Sequence, residues 1–351
     1  MRWFFEVVAS YFTDLDLTVY HEKALILTKQ MELVQLSLQS APRLQLLIIS
    51  GTNSYLKQLT IIESRLETIP PSIVNVTSLR YLHIEQSKLR VLDLRLLCQL
   101  PKLDTLVMEG NEISTLRSAS PTTTCSVQSL YLASNRLTSF NAPSLVYLSK
   151  LLMLDLKRNN LTRFRLDRLQ LPALTTLSLA SNNFDSLASF RKAGTPSLEV
   201  LDISSNVLGT VDLKYFEDLK NLTSLNLAYN QLTVVQTSQA TVLPKLRYLA
   251  LDNNLLEKLD PTNWYFPRLS SVSLVNNRLQ AVPSSIYRSN VSQTMYISIA
   301  SNPIRCSSMA ENVDYVLRLR SLSVSWGSTC TYSYYTGLVR GDGMNGLCCV
   351  V

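Results

Sequence analysis

The stretch LTSLNLAYNQLTVV, which begins at Leu222, returns with small changes along most of the chain. Copies begin at Leu103, Val127, Leu151, Leu174, Leu198, Leu246 and Leu269, so the period is 23 or 24 residues. Two earlier copies, from Leu56 and Leu79, place Ser64 and Ser87 where the later ones have asparagine. A worn copy from Leu33 has Ala41 there, and a last one from Thr294 reaches Asn302. Such a period means one supersecondary unit stacked on itself, and it constrains the fold more than any other signal. Within each copy the L-x-L alternation is a short strand, with its leucines on one face and the intervening residues on the other. One such strand cannot bury its apolar face alone, so the copies are expected to stack over a continuous core. Asn111, Asn135, Asn159, Asn182, Asn206, Asn230, Asn254, Asn277 and Asn302 fall where each strand turns away. A buried carboxamide there offers two donors and an acceptor to backbone groups that the turn leaves unpaired. Serine and alanine offer less, which predicts a looser N-terminal end.

The pattern L-x-x-L-x-L-x-x-N-x-L-x-x-L, from about residue 33 to 306, resembles the leucine-rich repeat. That resemblance implies an α/β solenoid, a horseshoe of about 11–12 repeats with a parallel concave sheet. A repeat of 23–24 residues has no room for a full helix on the return, so the convex side is expected to be irregular or 3-10. Phe216 and Leu219, in VDLKYFEDLKNL, match the convex Phe and Leu of animal extracellular repeats of this length. Three segments are expected: residues 1–32 as a divergent N-terminal cap, 33–305 as the solenoid, and 306–351 as a cysteine-containing C-terminal cap and tail.

Composition narrows the function classes. Apolar residues are 46% of the 351, enough for a long core, whereas charged residues, at 17%, are few for a cytosolic enzyme. The net charge of +7 is scattered singly, with no lysine or arginine run to point to nucleic acid. No stretch approaches the ~20 uncharged apolar residues of a bilayer span. The opening MRWFFEVV has a basic residue and an apolar run, but Glu6 interrupts what would be the core of a secretory leader. Either the leader is a poor one or it is missing from this chain.

Only two histidines occur, His21 and His83, and no CxxC, HExxH, GxGxxG or Walker sequence is present. Enzyme activity is therefore not expected, nor a cofactor. His83 with Glu85 and Glu109 reads better as a solvated polar face than as a metal site, so no metal is expected. Function is expected on the concave sheet, where the residues between the leucines project. The main candidate contact zone is Tyr81, His83, Glu85, Glu109, Tyr131, Met153, Asp155 and Lys157, with Tyr229, Tyr248 and Asp252 second. Asp202, Asn226 and Tyr296 belong to the same columns. Tyrosine and methionine with mixed charge suit a protein interface, because such residues bury large areas and carry hot spots.

Six cysteines are present. Cys98 and Cys125 lie on the convex side of successive repeats, where either a disulfide or two buried thiols is expected. NPIRC, residues 302–306, resembles the start of the C-terminal cap of secreted leucine-rich proteins, which implies a Cys306–Cys330 bridge. Sequons at Asn75, Asn160, Asn221 and Asn290 are candidate glycosylation sites, and with the cap they favour secretion. The ending GLVRGDGMNGLCCVV leaves three readings open. Cys348 and Cys349 divide between a bridge within the cap and one between chains; CCVV is a prenylation box on a cytosolic protein; or Arg340-Gly341-Asp342 is an integrin-binding triplet. A repeat array with NPIRC and a late CC resembles the leucine-rich repeat immune proteins of mosquitoes. Members of that family circulate in haemolymph, some as disulfide-linked pairs that hold a thioester-containing complement-like protein ready to act. Long members carry coiled-coil heptads after the double cysteine, whereas this chain ends two residues later, which fits a coil-less or truncated member. The resemblance implies a secreted, non-catalytic scaffold of innate immunity, with a complement-like partner and a dimer through Cys348 or Cys349. A cell-surface adhesion or receptor ectodomain, and a cytosolic lipid-attached regulator, are the alternatives.

Overall fold

The computed structural model describes residues 7–8, 11–117, 125–139, 145, 148–164, 171–190, 195–281, 283, 286, 290–291, 295–305, 337–341 and 344–349. The chain forms two compact units, Met1–Asn182 and Asn183–Val351. In the first, parallel strands follow one another in sequence order: Asp14–Leu17, Gln35–Leu38, Gln58–Ile62, Tyr81–Glu85, Thr105–Val107, Ser129–Tyr131, Met153–Asp155 and Thr176–Ser178. In the second they are Val200–Asp202, Ser224–Asn226, Tyr248–Ala250, Ser271–Ser273 and Tyr296–Ser298. Parallel neighbours in sequence order are what a solenoid of short repeats produces. The register keeps equivalent repeat positions side by side, so Leu82, Leu106, Leu130, Leu154 and Leu177 form one row. Leu201, Leu225, Leu249, Val272 and Ile297 form another in the second unit. All ten are buried. Each such side chain contributes about 1.5–3 kcal/mol by leaving water.

The first strand lies within the 32 residues expected as a cap. Asp14–Leu17 reads DLDL, so it carries the alternation without the rest of the repeat, and it pairs with Gln35–Leu38 in register. Among the described residues the return segments hold little helix: one turn at Leu94–Leu97, capped by Asp93, and 3-10 stretches at Pro71–Asn75, Ala188–Phe190 and Leu213–Phe216. Phe216 and Leu219 are buried there, and the Phe190 and Phe216 rings meet edge-on at 6.2 Å. Short parallel ribbons, such as Ala24–Thr28 with Leu46–Ser50 and Thr210–Asp212 with Val234–Gln236, fill other parts of the return.

From Thr105–Val107 onward, each strand ends in a turn closed by one asparagine side chain. The Asn159 carboxamide nitrogen donates to the carbonyls of Leu132 at 2.9 Å, Leu156 at 3.0 Å and Lys157 at 3.3 Å. Its oxygen accepts from the Leu137 amide at 3.0 Å. The same four bonds recur at Asn135, and again at Asn230 in the second unit. Between Ser64 and Ser87 the substitute is two hydroxyls 2.6 Å apart, bonding to the Ser64 and Leu66 amides and the Glu85 carbonyl. The residue before each asparagine is left-handed: Ser134, Arg158, Ser181, Ser205, Tyr229, Asn253, Asn276 and Ser301 have φ between 53° and 58°. That conformation costs a residue with a Cβ about 1–2 kcal/mol, so the asparagine bonds hold a strained turn in place. At Gly110 the constraint is spatial as well, because a Cβ there would lie 3.1 Å from Gln86 Cγ.

Cys98 and Cys125 are joined by a disulfide, with Cα atoms 4.5 Å apart and a sequence separation of 27. Cys306 and Cys330 lie outside the described residues. Cys348 and Cys349 lie on the strand Met344–Cys349, which pairs antiparallel with Gly337–Gly341, Cys348 opposite Leu338 and Cys349 opposite Gly337.

Urea denaturation measures what these bonds contribute. Asn159→Ala strands several buried backbone groups and is expected to lower stability by roughly 2–4 kcal/mol. The exposed neighbour Asn160→Ala should change it by less than about 0.5 kcal/mol. Replacing Cys98 and Cys125 together by serine should cost about 3–4 kcal/mol, from the freed loop entropy of the unfolded chain.

Candidate functional site

The residues between the leucines of the first unit stand in three rows across its sheet. Tyr81, Thr105, Ser129 and Met153 form the first row, and His83, Val107, Tyr131 and Asp155 the second. At or just past the strand ends, Glu85, Glu109, Ala133 and Lys157 form the third, in step with backbone bonds from Gln86 to Glu109, Gly110 to Ala133 and Ser134 to Lys157. The eight residues of the main candidate zone are thus brought onto one face, and all are half-buried. His83 anchors the zone. Its Nε2 lies 2.8 Å from Glu85 Oε2, its Nδ1 lies 3.4 Å from the Tyr81 hydroxyl, and the Tyr81 ring stands edge-on to it at 5.9 Å. Asp155 accepts the Lys157 amide at 2.8 Å, a bond that fixes its carboxylate at the strand end.

The electrostatics are uneven. Burial pushes the Glu109 carboxyl above the usual carboxylate range, and Asp155 and Glu85 push it further, against the pull of Lys157 and His83. Burial likewise raises the Tyr81 phenol, aided by Glu85, Tyr131 and Glu109. Among the described residues no group of three or more His, Cys, Asp or Glu is placed to hold a metal ion. No helix among them is long and apolar enough to cross a membrane.

The second candidate zone, on the second unit, is looser. Tyr248 and Tyr296 share a row with Ser271 between them, and Tyr248 is 54% exposed. Asp252 accepts from the Val275 amide at 3.0 Å and from the Ser273 hydroxyl, so much of its bonding capacity is used internally. Tyr229 stands off the sheet face. It is the left-handed turn residue before Asn230, 61% exposed at the rim.

The sequons differ in availability. Asn160 is exposed. The Asn221 amide donates to the Pro196 carbonyl at 2.7 Å and its oxygen accepts from Lys245 Nζ at 2.7 Å. Asn75 is half-buried at the end of a 3-10 turn, and Asn290 lies in the short strand Asn290–Val291. One cluster was missed in the sequence. Lys88 and Arg136 each lie 3.2 Å from Glu112, and Arg90 lies 3.9 Å away. Lys88, Arg90 and Glu112 line a groove together with Gln45, Leu46, Arg65 and Glu67. The signal was the period itself, since Lys88, Glu112 and Arg136 each follow the turn position of successive repeats. Exposed pairs of this kind add little stability.

Glu109 yields a signed prediction. Its carboxyl titrates higher in the folded than in the unfolded chain, so the folded state binds more protons over that window and stability falls as pH rises through it. Glu109→Gln is therefore expected to raise the melting temperature at about pH 7, with the gain vanishing at pH well below the carboxylate range. Thermal melts at the two pH values check this.

Comparison with known proteins agrees with the geometry. The leucine rich repeat family matches at residues 54–113, 125–184, 172–232 and 196–256, more than half of the chain together. Adenylate cyclase of Schizosaccharomyces pombe is 24% identical over 303 residues, 80% of this chain but 17% of the cyclase. Toll-like receptor 9 of Bos taurus is 40% identical over 124 residues, 32% of this chain and 12% of the receptor. The chain thus spans less than a fifth of the length of these relatives. The crystal structure of the APL1 leucine-rich repeat domain superposes with a TM-score of 0.57 at 19% identity, covering 95% of this chain and 91% of that domain. Repeat pattern, register and asparagine turns agree with the match, and the chain belongs to the leucine-rich repeat family.

Proposed function

We propose that this protein is a secreted, non-catalytic scaffold of innate immunity that binds a protein partner through the open face of its first unit, from Tyr81 to Lys157. The observation that carries this reading is that face itself. It gathers two tyrosines, a methionine, a histidine and four charged side chains, all half-buried, on strands held rigidly by the core. Aromatic anchors with charges beside them are the composition of binding hot spots. The Cys98–Cys125 disulfide supports an oxidising compartment. The Toll-like receptor among the relatives supports an immune setting. The partner class favoured is a thioester-containing complement-like protein, with pairing of two chains through Cys348 or Cys349. A second reading, a receptor ectodomain, draws on the 40% identity to Toll-like receptor 9.

The test uses protein secreted from insect cells, run with and without reductant, and its binding to a thioester-containing complement-like protein measured by interferometry. A reduction-sensitive dimer is expected, together with a loss of about tenfold or more in affinity for Tyr131→Ala and Met153→Ala and none for the convex Arg95→Ala. Equal binding by all three variants, or retention of the chain in the cytosol with free thiols, overturns the reading.

A further inference from the structure

The open face of the first unit contains one arrangement that its own residues leave unresolved. Glu109 lies directly beside Glu85 in the third row, and like charges in that relation destabilise a sheet. Glu85 is answered by His83 at 2.8 Å. The Glu109 carboxylate has neither a hydrogen bond nor an ion pair among the described residues. Lys157, in the same row, is two strands away, about 10 Å along the sheet, with Ala133 between them. Burial and the two nearby carboxylates, Asp155 and Glu85, together work against the charge that Glu109 carries at neutral pH. Around it stand aromatic surfaces, Tyr81 and Tyr131, both half-buried.

We propose that this face recognises a basic segment of a protein, one lysine or arginine of which pairs with Glu109 while its stem lies across Tyr131 and Tyr81. This rests on the face being the docking surface, as argued above. Charge complementarity identifies the occupant. Glu85, Glu109 and Asp155 against Lys157 give the zone three negative charges and one positive, a local excess of two, on a chain whose total is +7. A basic partner is repelled by most of this molecule and attracted here, which favours register and approach at this face. The aliphatic stem of a lysine or arginine covers aromatic surface while its head meets a carboxylate, and the tyrosine faces add a cation–π attraction. An incoming cation also relieves the Glu85–Glu109 repulsion, so the energy that the free protein stores in that pair becomes part of the binding.

The probe is a fluorescein-labelled nonalysine peptide, with nonaglutamate as control, read by fluorescence anisotropy at about 0.15 M salt, where weak surface attraction is screened. Glu109→Gln keeps the side-chain shape and is expected to weaken nonalysine binding about tenfold or more. Glu67→Gln makes the same charge change in the groove beside Lys88 and Arg90 and should weaken it less than about twofold. Equal weakening by both variants, no weakening by Glu109→Gln, no binding of nonalysine, or equal binding of nonaglutamate overturns the proposal. The same variants measured against the complement-like partner separate it from the broader reading. Loss with Tyr131→Ala but not with Glu109→Gln overturns the cation proposal alone, and no loss with Tyr131→Ala overturns the docking face.

Discussion

At the end of every strand the chain bends out of its sheet, and the carbonyls and amides there have no neighbouring strand to pair with. From Asn111 onward one buried carboxamide per repeat closes this gap, and the Ser64 and Ser87 hydroxyls stand in for it before that. Asn159 alone ties Leu132 and Leu137 of the preceding repeat to Leu156 and Lys157 of its own. A buried backbone group left without a partner costs about 1–3 kcal/mol, so the stacked leucines cannot be kept dry without such bonds. The left-handed residue before each asparagine shows the other half of the exchange. Its strain is tolerated because the bonds on either side allow no other path.

Once leucine and asparagine have settled core and turn, the positions between the leucines are free to answer to something else. Residues 23 or 24 apart in sequence become lateral neighbours about 4.8 Å apart in space. Charges scattered singly along the chain then meet as groups. Lys88, Glu112 and Arg136 become a favourable cluster, and Glu85 and Glu109 an unfavourable one. The first arrangement is what a solvated surface tends toward. The second persists against the preference of its own side chains, and such local conflicts concentrate where a protein meets a partner.

The repeat, its length, the direction of the strands and the facing of each leucine were all legible in the sequence, because an alternation of two and a period of 23–24 admit only one way to bury the apolar face. Asp14–Leu17 escaped because it keeps the alternation without the rest of the repeat, and only its pairing with Gln35–Leu38 reveals it. Tyr229 was read as facing outward among the strand residues, and it stands at the turn, where the parity of the strand no longer sets direction. The Cys98–Cys125 pair was open in the sequence for a related reason: the return segments have no strict period, so spacing does not fix which side chains meet.

Sequence by itself determined the architecture and, within the recognised strands, which residues face outward, because both follow from local periodicity and from the need to satisfy each buried backbone group. Which outward residues touch was decided only by the tertiary structure. His83 satisfies Glu85 and not Glu109, and the Asp155 carboxylate takes up the Lys157 amide. These choices depend on distances across strands and on burial to within an ångström or two. No one-dimensional pattern encodes that, since whether a side chain turns to its own strand or to the next is set by how neighbouring repeats stack.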